Sequence, residues 1–365
     1  MSSPTGEREA PVIAVDCNGA DLGAAEVAAG ARIAAGQGAR VLLFGPAGEL
    51  GEPVPGVEIV DAPVSIAKAA DPVRAARATP EASIVQAAQA VAEGRAQALV
   101  CAGGTGAALA AGTFNIKRAR GIYRPALAIP IPLPVGGRDH RHVTLLDVGA
   151  SAEARSEHLV QFAFMGAAFA RTVLGVAAPR VGLLSNGEEA ERGSELVLEA
   201  HAQLRERAAA EPRGFEFVGN VEGGDVVSGR ADVIVTDGFT GNIALKLMEG
   251  VSQTMLGAVR AAAMSSTKAK LGGLLLRGAL GGFRGQIDPE ASGGAYLLGL
   301  RRLGVVPHGR FRRAGFAAAI MRADRGARED VVAQTHAALE RAGVLRRAPV
   351  SASVSASAAS LPQAR

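Results

Sequence analysis

The stretch FEFVGNVEGGDVVSGRADVIVTDGFTGNIALKLMEG, residues 215–250, decides how the rest of this chain is interpreted. It contains two apolar strands, and each ends in a cluster of Gly, Asn, Asp and Glu residues. The second cluster opens a helix. Ligands of parallel α/β proteins bind beyond the carboxyl ends of the strands. The stretch therefore predicts the edge of an active site, with Asn220, Asp237 and Asn242 as candidate polar groups.

Outward from this stretch, short apolar runs alternate with alanine-rich helical segments. Continuous apolar strands separated by helices are typical of a mostly parallel sheet that is covered on both faces. The predicted strands lie at 12–17, 40–45, 57–63, 97–104, 126–133, 143–149, 181–187, 215–220 and 232–238. The sequence thus predicts an α/β fold in which one domain spans residues 11–345. Residues 1–10 and the low-complexity segment 346–365 are expected to be disordered.

Composition argues against several classes of protein. Charged residues make up 20% of the 365 residues and apolar residues 48%, which is the balance of a globular protein. The aromatic fraction of 4% and the net charge of +4 give little support to nucleic-acid binding. No signal peptide is predicted, and no apolar run reaches the roughly 20 residues of a membrane span. Cys17 and Cys101 have no metal-ligand spacing, so we expect a reduced, cytoplasmic protein.

The segment 251–287 contains five cations and no acidic residue. Its cations alternate with the apolar, glycine-rich pieces LGGLLL, GAL and GGF. A helical excursion of this kind is typical of a surface that lies on an anionic membrane. A helix pair that packs against a second subunit would have the same composition, so both interpretations stay open. The residues expected to contact a membrane are Lys268, Lys270, Leu274, Leu275 and Arg277.

A glycine turn follows the strand that ends in VCAGGTGA, residues 100–107. Such a turn lets backbone N–H groups and a helix N-terminus face an anion, although many such turns are purely structural. The turn lacks the lysine of a P-loop and does not match GxGxxG, which disfavours nucleotide binding. The candidate substrate-binding residues of this turn are Gly103, Gly104, Thr105 and Gly106.

Other strands also end in polar side chains. Asp16 lies in VDCNGAD, Glu189 and Arg192 lie in SNGEEAERG, and His308 lies in VVPHG. Taken alone, a Glu–Arg neighbour pair is usually a solvated surface pair, and a lone histidine is more often structural than catalytic. In one parallel sheet, however, such strand ends can converge on one crevice, and this convergence is the argument for a site.

Taken in chain order, these motifs resemble the acyl-acyl-carrier-protein:phosphate acyltransferases of bacterial phospholipid synthesis. The resemblance extends from residue 12 to about residue 325 and is most specific in GNVEG and DGFTGN. It implies a Rossmann-like fold related to isopropylmalate dehydrogenases and phosphotransacetylases, with a protruding helical pair. It also implies a homodimer at the inner face of the membrane, with a downstream membrane acyltransferase as a partner. The implied reaction moves a fatty acyl group from the acyl carrier protein to inorganic phosphate, with no metal or nucleotide cofactor.

This resemblance implies roles for the candidate residues. Arg192 and the glycine-loop amides would hold phosphate, and Asp237 or Glu189 would orient it or move its proton. Asn220 and Asn242 would donate to the carbonyl or to phosphate. Asp16 and His308 would belong to the substrate-binding set.

The chain departs from the family pattern in several loops. The departures fall at Asn18, Gly104, Ser151 and Arg192. At position 192 the family usually has a lysine. A paralogue with another acyl donor, or without activity, is therefore an alternative. An NAD-dependent dehydrogenase of the isopropylmalate type is a weaker one, because its metal-binding aspartates and arginine-rich motif are not found. A non-catalytic module that binds a carrier protein or a membrane would leave the polar strand ends unexplained.

Overall fold

The chain forms one mixed sheet with helices on both of its faces. The computed structural model describes residues 10–133, 142–211, 213–272, 274–275, 290 and 293–346. Within these residues the strands are β1 (Val12–Asp16), β2 (Arg40–Gly45), β3 (Val57–Asp61), β4 (Ala98–Cys101), β5 (Ala126–Pro132), β6 (His142–Leu146), β7 (Arg180–Leu184), β8 (Glu216–Val221), β9 (Val233–Val235), β10 (Ala295–Leu298) and β11 (Leu303–Val306).

Alanine-rich helices cover both faces of this sheet, as the sequence predicts. Those of the described residues are α1 (Ala24–Gly36), α2 (Ala47–Leu50), α3 (Pro72–Ala78), α4 (Ser83–Ala92), α5 (Thr105–Ala111), α6 (Ser156–Val173), α7 (Glu195–Ala210), α8 (Gly238–Met264), α9 (Arg313–Arg328) and α10 (Val331–Arg341). A π-helical turn, Gly112–Ile116, continues α5, and a 3-10 turn, Gly223–Val227, follows β8. Helix α6 is apolar on most sides, and it is accordingly buried along most of its length.

The strand order is β3-β2-β1-β4-β11-β10-β5-β6-β9-β7-β8. The first five strands in this order are parallel to one another, and so are the last four. Strands β10 and β5 join the two parallel blocks through antiparallel pairings. Because three antiparallel steps separate the blocks, the second block runs opposite to the first. The predicted mostly parallel α/β sheet is thus confirmed, with a reversal of direction in its middle.

All nine strands that the sequence predicts are present, while β10 and β11 are not predicted. Each of these two strands has only four residues, and the turn between them contains Arg301 and Arg302. A short apolar run broken by charges gives a weak periodic signal. Pairing with neighbouring strands, which the local sequence does not encode, makes these two runs part of the sheet.

Helix α8 begins at the aspartate after β9 and continues into the segment 251–287, for which the sequence predicts an excursion. Its side chains beyond the first turns are mostly exposed, and Leu247 and Met255 are 65% and 64% exposed. No helix of the described residues is long and apolar enough to cross a bilayer. Residues 267–272 and 274–275 are helical, with Lys268, Lys270, Leu274 and Leu275 exposed. Arg277 lies outside the described residues.

Both predicted disordered ends fall mostly outside the described residues. Ala10 is the first described residue, and Arg346 is the last. The backbone N–H of Arg346 donates to the carbonyl of Gly121 at 2.8 Å, so the ordered chain includes this first residue of the predicted tail.

Candidate active site

Polar loops follow the strands at both edges of the sheet. The loops after β1, β4 and β11 form what we call the glycine edge, residues 17–23, 102–104 and 307–312. The loops after β6, β7 and β9 form what we call the aspartate edge, residues 147–155, 185–193 and 236–242. Since the two strand blocks run in opposite directions, these strand ends lie at opposite edges of the sheet, and their convergence on one crevice stays a prediction. No hydrogen bond or ion pair between described residues joins the two edges.

The three loops of the glycine edge contact one another through their backbones. The N–H of Asp21 donates to the carbonyl of Gly309 at 2.8 Å. Gly103 and Gly104 have φ values of +84° and +64°. A Cβ at position 103 would lie 2.5 Å from the carbonyl oxygen of Gly19 and 3.2 Å from the Cα of Gly309. Both the backbone angle and the space therefore require glycine at position 103.

Asp16 lies beneath these loops, at the end of β1, and is 2% exposed. Its Oδ1 accepts from the Ser83 hydroxyl at 2.6 Å and from the Asn18 N–H at 3.2 Å. Its Oδ2 accepts from the Cys101 thiol at 3.4 Å. Burial raises the pKa of Asp16, and the hydrogen bonds offset only part of this effect. Through these bonds Asp16 links the end of β1 to β4 and α4, and its substrate contact stays a prediction.

The exposed surface of the glycine edge offers groups that bind anions. Thr105 begins α5, so the first N–H groups of this helix have no partner within the helix. His308 and Arg310 are exposed beside the glycine turn, and the Arg310 N–H donates to His308 Nδ1 at 3.2 Å. The structure thus brings together five predicted substrate-binding residues: Gly103, Gly104, Thr105, Gly106 and His308. Backbone N–H groups and a guanidinium are the donors that phosphate sites use.

Asp147 organises the aspartate edge, although the sequence analysis did not select it. Its carboxylate is fully buried and accepts five hydrogen bonds. Oδ1 accepts from the N–H groups of Leu127, Gly149 and Ala150 at 2.9, 3.1 and 2.9 Å. Oδ2 accepts from the N–H and the hydroxyl of Ser151, both at 2.8 Å. Burial raises the pKa of Asp147 despite these bonds.

The first turn of α8 packs directly on this loop. A Cβ on Gly238 would lie 2.6 Å from Asp147 Oδ2, and a Cβ on Gly241 would collide with the Asp147 carbonyl oxygen. Two glycines therefore let the start of α8 touch the loop backbone. Asn242 is half-buried above Gly149, and its amide has no hydrogen-bond partner among the described residues. This amide is therefore available to a ligand, as its predicted substrate-binding role requires.

Asp237, a predicted catalytic residue, is the N-cap of α8. Its carboxylate accepts from the Thr240 N–H at 2.9 Å and from the Thr240 hydroxyl at 2.7 Å. Such a cap stabilises the helix start that presents Asn242. Its side chain is half-buried, so the cap leaves Asp237 within reach of solvent.

Three further predicted catalytic residues lie together after β7 and on β8. Asn220 is fully buried, and its amide nitrogen donates to the carbonyls of Glu189 at 2.7 Å and Arg192 at 3.3 Å. Its Oδ1 pairs with His201 Nδ1 at 3.0 Å. The amide of Asn220 is thus used within the protein, which favours positioning of the 185–193 loop over substrate contact. Glu189 and Arg192 project from this loop, and their charged groups are 3.6 Å apart and 64% exposed.

Sequence analysis missed Asp147, His201 and Ser83 for one reason. Each is a buried partner whose importance comes from a residue distant in the chain. For Asp147 a signal was present, because the residue ends the apolar run VTLLD, as Asp16 ends VIAVD and Asp237 follows VIVT. An aspartate at the carboxyl end of a buried strand marks a loop-organising position in all three places.

Comparison with known proteins finds a family model and relatives that cover most of this chain. The fatty acid synthesis protein family model matches residues 12–334. A phosphate acyltransferase from Desulforudis audaxviator is 42% identical over 324 residues, which cover 88% of this chain and 93% of the relative. The phosphate acyltransferase from Geobacillus thermodenitrificans is 39% identical over 338 residues, covering 90% and 99%. The Heliobacterium modesticaldum protein of the same name is 43% identical over 277 residues, covering 76% and 79%.

Solved structures with the same fold include two phosphotransacetylases. The EutD phosphotransacetylase from Staphylococcus aureus superposes with a TM-score of 0.55 at 17% identity, covering 87% of this chain and 94% of that one. A Streptococcus pyogenes phosphotransacetylase gives a TM-score of 0.55 at 15% identity, covering 86% and 93%. At this identity the likeness concerns the fold, and it agrees with the predicted relationship to phosphotransacetylases.

Proposed function

Because the chain belongs to the phosphate acyltransferase family, we propose that it transfers an acyl group from a thioester donor to inorganic phosphate. The observation that carries this proposal is the family match over residues 12–334, which includes both edges of the sheet. In the proposed step a phosphate oxygen attacks the thioester carbonyl carbon. The C–S bond breaks, the thiolate leaves, and an acyl phosphate forms.

Phosphate is proposed to bind at the glycine edge. The first N–H groups of α5 follow a turn that requires glycine at position 103, and they have no partner within the helix. Arg310 supplies a nearby positive charge, since its guanidinium is 73% exposed and lies 3.9 Å from Asp21. Backbone N–H donors that the fold holds in place, together with one guanidinium, suit a dianion such as phosphate.

The thioester carbonyl is proposed to lie at the aspartate edge, near the start of α8. The unpartnered amide of Asn242 can donate to the oxyanion that develops when phosphate attacks. Asp147 and Gly241 fix the helix start, so that the donor keeps its place during the reaction. Arg192 and Glu189, on the neighbouring loop, are proposed to hold phosphate or its proton.

The twist of the sheet can bring the two edges to a common cleft. Adjacent strands rotate by roughly 20–25° relative to one another. Five steps separate β4 from β9 in the strand order, so the rotation accumulates to about 100–125°. This rotation offsets much of the reversal between the two strand blocks. Substrates placed between the edges would then contact both sets of loops.

A cysteine nucleophile is not part of this proposal. Cys17 and Cys101 are both buried, and burial raises the pKa of each thiol well above its ordinary value. The charge of Asp16 raises both values further. Since the thiolate is the reactive form, both thiols are poor nucleophiles. Direct attack by phosphate is therefore the simpler route, and holding both substrates in line removes much of its entropic barrier.

The donor is proposed to be an acyl carrier protein, and the enzyme a homodimer at the inner membrane face. The apolar side chains of α8 support the last two points. Phe239, Ile243, Leu247, Val251 and Met255 recur every four residues and are exposed in the single chain. A soluble monomer seldom exposes such a contiguous row. The half of α8 near the sheet would pack on a second copy, and the distal part with Lys268, Lys270, Leu274 and Leu275 would lie on anionic lipid.

Purified protein incubated with palmitoyl-acyl carrier protein and phosphate tests the activity. Hydroxylamine-reactive acyl phosphate is the expected product, and its formation should depend on phosphate concentration. An absence of product at every acyl length, with folding confirmed by circular dichroism, would contradict the proposal. Asn242→Ala is expected to lower kcat by about 10²-fold, as loss of one oxyanion donor does. Asn242→Asp, which keeps the size but removes the donor, is its matched variant.

A further inference from the structure

The surface beside β5 and β10 carries a concentration of positive charge that the reaction described above does not use. It consists of seven exposed cations, which we call the basic patch: Lys117, Arg118, Arg120, Arg124, Arg301, Arg302 and Arg346. The chain segments that supply them, residues 117–126, 299–302 and 343–346, contain no acidic residue. None of the seven forms an ion pair with an acidic side chain of the described residues.

Tertiary structure assembles this patch from three distant segments. The Arg301 N–H donates to the Lys117 carbonyl at 3.0 Å, which joins the first two segments. The buried side chain of Gln161 joins the first segment to the third. Its Nε2 donates to the carbonyls of Gly121 at 2.9 Å and Val344 at 2.8 Å. Its Oε1 accepts from the Tyr123 N–H at 2.9 Å, so each polar atom of the amide is used.

The basic patch borders the aspartate edge. Arg124 stands just before β5, and the N–H of Leu127 in that strand donates to Asp147 Oδ1 at 2.9 Å. On the other side, Arg155 closes the loop that begins at Asp147. The pKa of His158, which lies between them, is lowered by burial and by the positive charges of Arg124 and Arg155. A partner held on the patch would therefore sit beside the proposed thioester site.

The chemistry of the patch indicates which kind of partner fits it. None of the large apolar side chains that are exposed in the described residues belongs to the patch. Insertion into a membrane needs such side chains, whereas an acidic protein surface needs only positive charge. Exposed cations that form no ion pair steer an oppositely charged protein, and they fix its orientation because they repel its positive groups.

We propose that the basic patch is the docking surface for an acidic carrier protein that delivers the acyl thioester to the aspartate edge. This inference rests on the proposed function, because only a protein-bound acyl group needs a docking surface. Lys117 and Arg301 lie at the centre of the contact, where two segments pair. Arg124, just before β5, extends it toward the aspartate edge.

The test compares two double charge reversals. Lys117→Glu with Arg301→Glu removes charge from the patch, and Arg205→Glu with Arg213→Glu makes the same formal change at exposed positions on and just after α7. Each protein is assayed with phosphate and two donors, acyl-acyl carrier protein and an acyl-pantetheine of the same chain length. We expect the patch variant to raise KM for the carrier donor by about tenfold at low salt. Its kcat/KM for acyl-pantetheine should stay within twofold of the value for the unmodified protein. The α7 variant should keep both its KM for the carrier donor and its kcat/KM for acyl-pantetheine within the same limit.

Ionic strength gives a second measurement on the same proteins. Raising salt should increase KM for the carrier donor in the unmodified protein and much less in the patch variant, because salt screens the charges that the variant lacks. An equal KM for the carrier donor in the unmodified protein and the patch variant overturns the inference. So does a patch variant that loses only its binding to anionic vesicles, which would assign the patch to lipid.

Failure of the proposed function would look different. An unmodified protein that makes acyl phosphate from neither donor would contradict the acyl transfer itself. Direct binding of acyl carrier protein, measured by calorimetry, would still support the patch if the Lys117→Glu, Arg301→Glu protein lost it. Unchanged binding in that variant would overturn the patch as well.

Discussion

Asp16 and Asp147 are two buried aspartates at the ends of strands, and the difference between them shows how each edge of the sheet is built. Asp16 accepts mainly from side chains, the Ser83 hydroxyl and the Cys101 thiol, and from one N–H. Asp147 accepts from four backbone N–H groups and one hydroxyl. The first carboxylate links neighbouring elements, whereas the second defines the course of a whole loop. Substitution of the buried aspartate should therefore destabilise the protein more at the aspartate edge than at the glycine edge.

Asn substitution at the two aspartates tests this difference most strongly. Asp147→Asn directs an amide NH₂ at N–H groups that need an acceptor, so we expect a loss of about 4 kcal/mol in the free energy of unfolding. Asp16→Asn can turn its NH₂ toward the Cys101 sulfur and should cost about 1 kcal/mol. Urea denaturation of both variants measures the values. Equal losses in the free energy of unfolding would show that the two carboxylates contribute equally to stability.

Two glycines of α8 sharpen the comparison within one helix. A Cβ at Gly241 would collide with the Asp147 carbonyl oxygen and lie 2.9 Å from Thr236 Cγ2. Gly241→Ala should therefore lose about 3 kcal/mol of stability and most of the acyl-transfer activity. Gly250, on the same helix, has open space around its Cα, so Gly250→Ala should stabilise by up to about 1 kcal/mol. Thermal unfolding and turnover of the pair check both signs, and an active, stable Gly241→Ala protein would show that α8 does not need this close contact.

The pH dependence of stability separates the two aspartates from ordinary surface carboxylates. Burial raises the pKa of both Asp16 and Asp147 in the folded state. The folded protein therefore binds protons more readily than the unfolded chain, and stability from these groups falls as pH rises through their folded pKa values. Asp16→Asn removes one such group, so its stability curve should fall less between pH 4 and neutrality than that of the unmodified protein. Parallel curves in urea titrations at several pH values would assign the raised pKa to Asp147 alone.

Arg192 is expected to have the smallest effect on stability and a larger one on activity. Its ion pair with Glu189 is exposed, so Arg192→Ala should change the free energy of unfolding by less than about 0.5 kcal/mol. If the guanidinium holds phosphate, KM for phosphate should rise by about tenfold in the alanine variant and much less in Arg192→Lys. Arg95→Ala, which breaks another exposed pair far from both edges, is the control. Unchanged phosphate kinetics in Arg192→Ala would remove this residue from the proposed mechanism.

Much of the fold could be predicted because apolar runs are a local signal. Nine strands and the helices between them follow from such runs, and Asp237 stands where a helix begins. Strands β10 and β11 could not be predicted, because each is a short run beside a charged turn and forms only by pairing with neighbouring strands. The candidate site residues could also be selected from local sequence, because most of them are polar or glycine residues that directly follow an apolar run.

The sequence by itself determined the composition of the site, its glycine turns and the family to which the chain belongs. Tertiary structure alone decided which residues share an edge, because strand direction depends on pairings between segments far apart in the chain. It also showed that Asp16 and Asn220 are buried and hydrogen-bonded within the protein, and that Asp147 lies beneath the start of α8. The basic patch has the same origin: its cations are distant in sequence, and backbone hydrogen bonds with the amide of Gln161 bring them onto one surface. Burial and hydrogen-bond partners are properties of the folded chain, and they separate residues that hold a site from residues that face its ligands.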